Sequence, residues 1–258
     1  MEQYKSKKMV NKTLRNIKLI LEYDGTAYHG WQVQKNAISI QSILEKTLFT
    51  LLREEIATSV SGRTDSGVHA MNQPVNFKTV NKMGTIRLLK SLNGLLPHDI
   101  IVKSVEEVSL DFDVRRNSKN KTYRYVILNR EAPTALDRER CWHVRHKLDI
   151  ELMQKGAHLL LGKHDFTSFR ASGCGANNAV RRVINVRFEE KEDGYIYFEI
   201  MAHAFLKQMV RNIVGTLVYL GLGKLTLNEV SRLLEVKDRT KAGPTAPAQG
   251  LFLLNVEY

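Results

Sequence analysis

The chain has 258 residues, 43% of them hydrophobic, which is enough for one large domain or two modest ones with a sizeable core. Its two cysteines, Cys141 and Cys174, lie far apart and form no C-x-x-C pair, which argues against a disulfide framework and a cysteine zinc site. No apolar run is long enough for a signal peptide or a membrane span, so we expect a soluble protein of the cytoplasm.

The charge is strongly unbalanced. Lys and Arg number 39 against 27 Asp and Glu, a formal net charge of +12. Such an excess favours a polyanionic partner such as nucleic acid, because neutralising phosphates releases counterions. A basic surface that serves only solubility is the alternative, and charge alone does not separate the two.

The first half of the chain begins with a basic arm, predicted at residues 1–15. Apolar periodicity then predicts a strand at 17–23, a helix of about four turns from Ser39, and strands at 75–79 and 100–108, with a further helix at 86–95. Residues 119–121 are read as a polar connection into the second half.

The second half is also predicted to contain a series of strands and helices. Its expected elements, in chain order, are a strand at 122–129, a helix from the Asp149 cap to about 161, a strand at 195–200, a helix at about 204–220, a helix opened by a Thr226-x-x-Glu229 capping box, and a strand at 251–257. Strands and helices alternate in both halves, which indicates an α+β or mixed α/β fold with two similarly built lobes, 16–117 and 118–258.

Most candidate chemical motifs are weak. Cys141, His143 and His146 lie close together, but their spacing matches no standard zinc pattern, so no metal is expected. The stretch Gly62-Arg63-Thr64-Asp65-Ser66-Gly67-Val68-His69-Ala70 is denser in polar and glycine residues. Taken alone, it fits either a surface turn or a functional loop.

This stretch resembles the loop that carries the catalytic aspartate in the TruA family of tRNA pseudouridine synthases. The resemblance extends in the family's order through Tyr23-Asp24-Gly25-Thr26, Gly30-Trp31-Gln32-x-Gln34, Leu92-Asn93, Leu96-Pro97-x-Asp99-Ile100, Lys121-x-Tyr123-x-Tyr125, His164-Asp165-Phe166-x-Ser168-Phe169, Phe205-Leu206-x-x-Met209-Val210-Arg211-Asn212-Ile213-Val214-Gly215 and Ala242-Gly243-Pro244-Thr245-Ala246-Pro247-Ala248-x-Gly250-Leu251. Two departures are Phe112-Asp113-Val114-Arg115, where relatives often have Phe-His-Ala-Arg, and Gln208, where His is frequent. The first departure puts an acidic group near a stretch that the resemblance implies faces the RNA.

The resemblance implies roles for three residues. Asp65 is the nucleophile, which attacks C1′, adds to C6 or abstracts a ribose proton. Arg211 pairs with this carboxylate, although a phosphate-binding or helix-surface arginine is the alternative. Tyr123 stacks on the target uracil, although strand aromatics also serve as plain core residues.

The resemblance also implies how the substrate is held. Arg63 grips the RNA or helps to flip the target base, whereas Thr64 and Ser66 contact the substrate or hold the loop in shape. The expected protein is a homodimer with a largely antiparallel sheet flanked by helices and a central basic cleft. It acts without a cofactor on uridines 38, 39 and 40 of the tRNA anticodon stem-loop.

Two other functions stay open. One is a non-catalytic tRNA-binding chaperone on the same scaffold, which would not need Asp65, Tyr123 and Arg211 together. The other is a carboxylate-dependent nucleoside hydrolase, which would usually require a second catalytic acid, and none is identifiable.

Overall fold

The computed structural model describes residues 13–258. The predicted arm lies outside the described residues up to Lys12. Arg15, which was predicted to belong to the arm, is instead the first residue of a strand, where it pairs with Thr79 and forms a salt bridge with Glu107.

The strands are β1 (Arg15–Tyr23), β2 (Ser59–Val60), β3 (His69–Thr79), β4 (Ile100–Val108), β5 (Asn120–Leu128), β6 (Trp142–His143), β7 (Gly162–Asp165), β8 (Val180–Glu190), β9 (Tyr195–Ala202) and β10 (Leu251–Glu257). The α-helices are α1 (Ile40–Leu52), α2 (Thr85–Leu95), α3 (Ile150–His158), α4 (Met209–Gly221) and α5 (Leu227–Val236). No helix within residues 13–258 is both long and apolar enough to cross a membrane.

All ten strands of the described chain belong to one sheet, in the order β4-β1-β3-β10-β5-β9-β8-β7, with β2 beside β3 and β6 beside β5. The pairs β3–β10 and β5–β6 are parallel and the other pairs are antiparallel. The expected mixed α/β fold, a largely antiparallel sheet flanked by helices, is therefore confirmed.

The two halves repeat one arrangement. In the first half β1 lies between β4 and β3, and in the second half β5 lies between β10 and β9. The order of elements also repeats, because β1-α1-β3-α2-β4 corresponds to β5-α3-β9-α4-β10 once the short strands, β8 and α5 are set aside. This repeat is the structural basis of the similarity expected between the two lobes.

The halves meet where β3 and β10 run parallel, with Leu253 opposite Ala70. On its other side Leu253 is opposite Tyr123 of β5. Neighbouring strands lie about 4.8 Å apart, so Tyr123 and the start of β3 are separated by only about 10 Å. The loop that leads into β3 contains Asp65. This junction of β3 and β10, the seam between the two halves of the sheet, therefore places Asp65 close to Tyr123.

Local sequence explains most elements. Ser39 caps α1, and Ile40, Leu44, Leu48 and Leu52 are buried along one helical face. In β5 the buried residues alternate with more exposed ones, as a half-buried strand requires.

Several boundaries differ from the prediction. Strand β5 begins at Asn120, inside the predicted connection, because Lys121 pairs with both Ala202 and Val256. Helix α3 ends at His158 rather than near residue 161. Helix α4 begins at Met209, five residues later than expected, because Gln208 adopts a left-handed backbone with φ 58°.

Candidate active site

The loop that carries Asp65, residues 62–68, is here termed the aspartate loop. It is held by a second loop from the first half of the chain. The Trp31 N–H donates to the Thr64 carbonyl at 3.1 Å, and the Gly67 N–H donates to the Tyr28 carbonyl at 3.2 Å. The Val68 N–H closes the turn by donating to the Asp65 carbonyl at 3.2 Å. These backbone hydrogen bonds fix the position of the main chain at Asp65, from which its side chain extends.

Gly30 explains how closely the two loops approach each other. Its φ of +85° lies in the left-handed region, and an added Cβ would lie 2.5 Å from the Thr64 carbonyl oxygen and 3.0 Å from the Asp65 carbonyl carbon. Both contacts are with backbone and cannot be relieved by rotating a side chain. Glycine is therefore required beside the aspartate loop.

The Asp65 carboxylate faces Arg211, with Oδ2 3.6 Å from Nη1. The Asp65 side chain is 33% exposed, and that of Arg211 is 14% exposed. The Arg211 Nε–H donates to the Ala246 carbonyl at 2.7 Å, which fixes the plane of the guanidinium. At 3.6 Å the pair is an ionic contact rather than a hydrogen bond, so the carboxylate oxygens remain available to a substrate.

Arg211 lies in the first turn of α4, which is anchored to the segment of residues 242–250, here termed the C-terminal strap. The Ala246 N–H donates to the Arg211 carbonyl at 3.1 Å. Thr245 Oγ1 donates to Asn212 Oδ1 at 2.7 Å, and Arg239 donates to the same oxygen at 3.0 Å. The strap thereby sets the orientation of the arginine.

Tyr123 of β5 completes the group of three residues. It is 7% exposed, and its ring forms a T-shaped contact with Phe205, with centroids 5.1 Å apart. A Cβ on Gly62 would lie 3.6 Å from its hydroxyl, which shows how closely the aspartate loop passes over the ring. Burial, and then the negative charge of Asp65, raise the pKa of Tyr123. The phenol is therefore a neutral donor, and its hydroxyl makes no hydrogen bond within residues 13–258.

The other predicted site residues differ in their surroundings. Arg63 is exposed. Thr64 is buried, and its hydroxyl shares a 2.8 Å hydrogen bond with the Tyr23 hydroxyl. The Ser66 hydroxyl donates to the Tyr28 carbonyl at 3.2 Å. The contacts of Thr64 and Ser66 fit a role in shaping the loop, whereas Arg63 is free to reach outward.

His69 is a residue of this site for which the sequence suggested no role. Its Nδ1 accepts the Gly25 N–H at 3.0 Å, and its Nε2 lies 2.9 Å and 3.1 Å from the carbonyls of Glu139 and Gln249. Burial lowers the pKa of His69, and the nearby Asp24 carboxylate opposes this effect. A neutral ring with its proton on Nε2 satisfies all three contacts. His69 therefore joins three segments around the aspartate loop.

Phe205 is likewise a site residue to which the sequence assigns no role, although it belongs to a motif that matches the family. An apolar pair, Phe205-Leu206, before a helix looks like helical periodicity, so the sequence gives no signal that the ring instead packs on Tyr123.

The Cys141, His143 and His146 group does not converge. The Cys141 thiol donates to the Asp137 carbonyl at 3.2 Å, and His143 Nε2 lies 2.8 Å from the Arg130 carbonyl. Across residues 13–258, no three His, Cys, Asp or Glu side chains are grouped so that they could hold a metal ion.

Comparison with known proteins places this geometry in a family. A family model described as tRNA pseudouridine synthase matches residues 19–116 and 157–258. The tRNA pseudouridine synthase A of Thermoanaerobacter sp. (strain X514) is 46% identical over 245 residues, covering 95% of this chain and 100% of the relative. The protein of the same name from Acetivibrio thermocellus is 47% identical over 245 residues, with the same coverage.

A solved structure, the archaeal box H/ACA sRNP Nop10-Cbf5 complex, also resembles the chain, with 11% identity and a TM-score of 0.36. The similarity covers 88% of this chain and 59% of that chain.

The family model and the two relatives define a class of isomerases that act on tRNA uridine. The chain belongs to the tRNA pseudouridine synthase family.

Proposed function

We propose that this protein isomerises uridine to pseudouridine in the anticodon stem-loop of tRNA, at positions 38, 39 and 40. The observation that carries the proposal is the convergence of Asp65, Arg211 and Tyr123 at the seam between the two halves of the sheet. The first two lie in a 3.6 Å ion pair, although they are 146 positions apart in sequence.

The reaction breaks the bond between uracil N1 and ribose C1′, turns the base and forms a bond between C5 and C1′. The proton on C5 is lost and N1 gains one, so no electrons or heavy atoms enter or leave. Asp65 supplies the carboxylate that attacks C1′, adds to C6 or abstracts a ribose proton. Its oxygens are partly exposed and accept no hydrogen bond from residues 13–258, which supports this role.

Arg211 faces the Asp65 carboxylate and sets the direction in which it points. A guanidinium remains charged at every working pH, and its fixed plane matches a carboxylate better than an ammonium does. The bond from Nε to Ala246 leaves the Nη groups to face Asp65.

Tyr123 offers its ring face to the uracil and its hydroxyl to the proton that leaves C5. The hydroxyl has no hydrogen-bond partner within residues 13–258, and the pKa of the phenol is raised. Both observations support a neutral hydroxyl that is free to form a hydrogen bond with the substrate.

Arg63 is proposed to hold the RNA and to help extract the stacked base. It is exposed two residues before Asp65, and a stacked uridine must leave its stack to react. Thr64 and Ser66 are proposed to act on the substrate indirectly, by holding the loop in shape.

The affinity for tRNA is expected to fall log-linearly as salt rises, because a chain with a net charge of +12 binds phosphates by releasing counterions. Arg63→Gln should reduce the slope by about 0.7 to 0.9, the value of one phosphate contact. Arg87→Gln, on the surface of α2, is the matched control and should keep the wild-type slope. Filter binding across a salt series measures both, and a flat wild-type response would contradict the proposal.

The remaining features come from the family resemblance: a homodimer, a cytoplasmic location, and two lobes at 16–117 and 118–258 around a basic cleft. Sedimentation of the purified protein at micromolar concentration tests the first of these, and a mass of 29.5 kDa alone would contradict it.

Turnover in a chelator tests the proposed function. Because side chains alone carry out the isomerisation, purified protein should release tritium from C5-labelled uridine in prefolded tRNA with EDTA present and no added nucleotide. Sequencing of the product should place pseudouridine at positions 38, 39 or 40. Activity that vanishes on chelation and returns only with zinc would overturn the proposed mechanism.

A further inference from the structure

Lys121 of β5 is a buried cation without a carboxylate partner. The residue is 8% exposed, and its Nζ makes one hydrogen bond within residues 13–258, a donation to Ser118 Oγ at 3.1 Å. No acidic oxygen among the described residues lies within 4.0 Å of this nitrogen, whereas Lys18 has Glu106 at 2.6 Å and Lys237 has Asp165 at 3.1 Å.

The surroundings are unfavourable for a charge. Burial, and then the positive charge of Arg115, lower the pKa of the Lys121 ammonium. Fully buried lysines are rare unless they are paired, because an isolated charge loses its hydration without compensation. Two of the three ammonium donors have no acceptor within residues 13–258. Such a cation is suited to an anion that the free protein does not contain.

The position of Lys121 links it to the proposed reaction. It lies two residues before Tyr123 on the same face of β5, and a Cβ on Gly62 would lie 3.4 Å from Lys121 Cε and 3.6 Å from the Tyr123 hydroxyl. The lysine stem and the tyrosine ring therefore lie side by side under the aspartate loop.

The ammonium points to a turn that is itself basic. The carboxylate of Asp113 accepts the N–H groups of Arg115 and Arg116 at 2.9 Å and 2.8 Å, which uses this acid to shape the turn. The side chains of both arginines are exposed and form no salt bridge within residues 13–258. Asp113 forms no salt bridge with Lys121, Arg115 or Arg116 within residues 13–258.

We propose that Lys121 binds a backbone phosphate of tRNA next to the target uridine. This assignment rests on the proposed function, since it takes the base to lie on Tyr123. An ammonium with free donors is a point charge that meets a phosphodiester oxygen without demanding one geometry. The turn that holds Arg115 and Ser118 strengthens the positive potential around the same phosphate.

A purely structural role is the competing explanation. Lysine stems often cover apolar surface while the ammonium reaches water, so Lys121 would contribute packing alone. If Lys121 contributed packing alone, replacing it would not change how tRNA affinity depends on salt or on the charge of the RNA. These two dependences therefore test the proposal.

Binding is measured in the Asp65→Asn background, so that no turnover disturbs it. Lys121→Met keeps the length of the stem and removes the charge, Lys121→Arg keeps a charge, and Lys90→Met on the surface of α2 is the control. Affinity for tRNA is followed across a salt series. The measurement is then repeated with RNAs in which one phosphate flanking the target uridine at a time is replaced by a neutral methylphosphonate.

With Lys121 intact, one flanking methylphosphonate should weaken binding about tenfold, as expected for a lost charge-assisted contact. Lys121→Met should reduce the salt slope by about 0.7 and should no longer respond to that methylphosphonate. Lys121→Arg and Lys90→Met should keep the parent slope.

An unchanged slope in Lys121→Met, or an equal response of Lys121→Met and its parent to the methylphosphonate, would overturn the assignment. If Lys121→Met did not fold, the methylphosphonate series on the parent protein would decide the question. The contact is excluded if a methylphosphonate at every flanking position weakens binding by twofold or less. Tritium release by wild type is scored separately. A failure of the proposed function is therefore distinguishable from a failure of the phosphate contact.

Discussion

Asp65→Asn should reduce tritium release from C5-labelled tRNA to background. The substitution keeps the size of the side chain while removing its charge and nearly all its nucleophilicity, and no other carboxylate lies in the described group of Asp65, Arg211 and Tyr123. Affinity for tRNA should change less than about tenfold, or roughly 1.4 kcal/mol, because affinity is spread over many phosphate contacts.

The fold should survive this change. The ion pair with Arg211 is long and its acid is one-third exposed, so its loss should cost no more than about 1 kcal/mol. Asp193→Asn is the matched control, since Asp193 lies in the turn before β9 with a left-handed φ of 59°, which asparagine also tolerates. It should keep wild-type activity. Retention of even a few per cent of the wild-type rate by Asp65→Asn, with deamidation excluded by mass spectrometry, would show that Asp65 is not the nucleophile.

The largest loss of stability is expected from Gly215→Ala in α4. A Cβ at this position would lie 1.7 Å from the Pro244 carbonyl oxygen, so the helix and the C-terminal strap must separate. We expect the free energy of unfolding to fall by about 3 kcal/mol or more, at the upper end for overpacking. Activity should fall as well, because the displaced strap contains Ala246, which holds Arg211.

Gly94→Ala provides the control for this prediction. It is also a helical glycine, in α2, but nothing lies within 4 Å of the position that an added Cβ would take. Removing glycine there should raise stability by about 0.4 to 1 kcal/mol. Urea unfolding of both variants measures the difference, and equal stability of Gly215→Ala and wild type would contradict the close contact between α4 and the strap.

Elements with a strong local pattern could be predicted from the sequence. Strands β4 and β10 have the predicted bounds, and α5 begins after its Thr226 capping box. In each case the signal is local, either apolar alternation or a cap.

Elements defined by distant partners could not be predicted in this way. Strand β8 was missed because its sequence is rich in charged residues and few of its side chains are buried, so pairing with β7 and β9 determines it. The late start of α4 has a similar cause, because Phe205 packs on Tyr123 instead of continuing the helix.

The same limit applies to the site. Asp65 and Tyr123 stood out through motifs, but motif spacing does not reveal that β10 inserts between β3 and β5 and brings them together. Neither His69 as a link between three segments nor the missing acid partner of Lys121 can be read from neighbouring residues, because both depend on contacts across the fold.

The most direct test of the central claim is pseudouridine mapping in total tRNA from cells that lack this gene and carry either the wild-type gene or Asp65→Asn. The account predicts that pseudouridine at positions 38, 39 or 40 is absent without the gene, returns with wild type and stays absent with Asp65→Asn at equal protein level. Unchanged pseudouridine at all three positions in the cells without the gene, or its full return with Asp65→Asn, would contradict it.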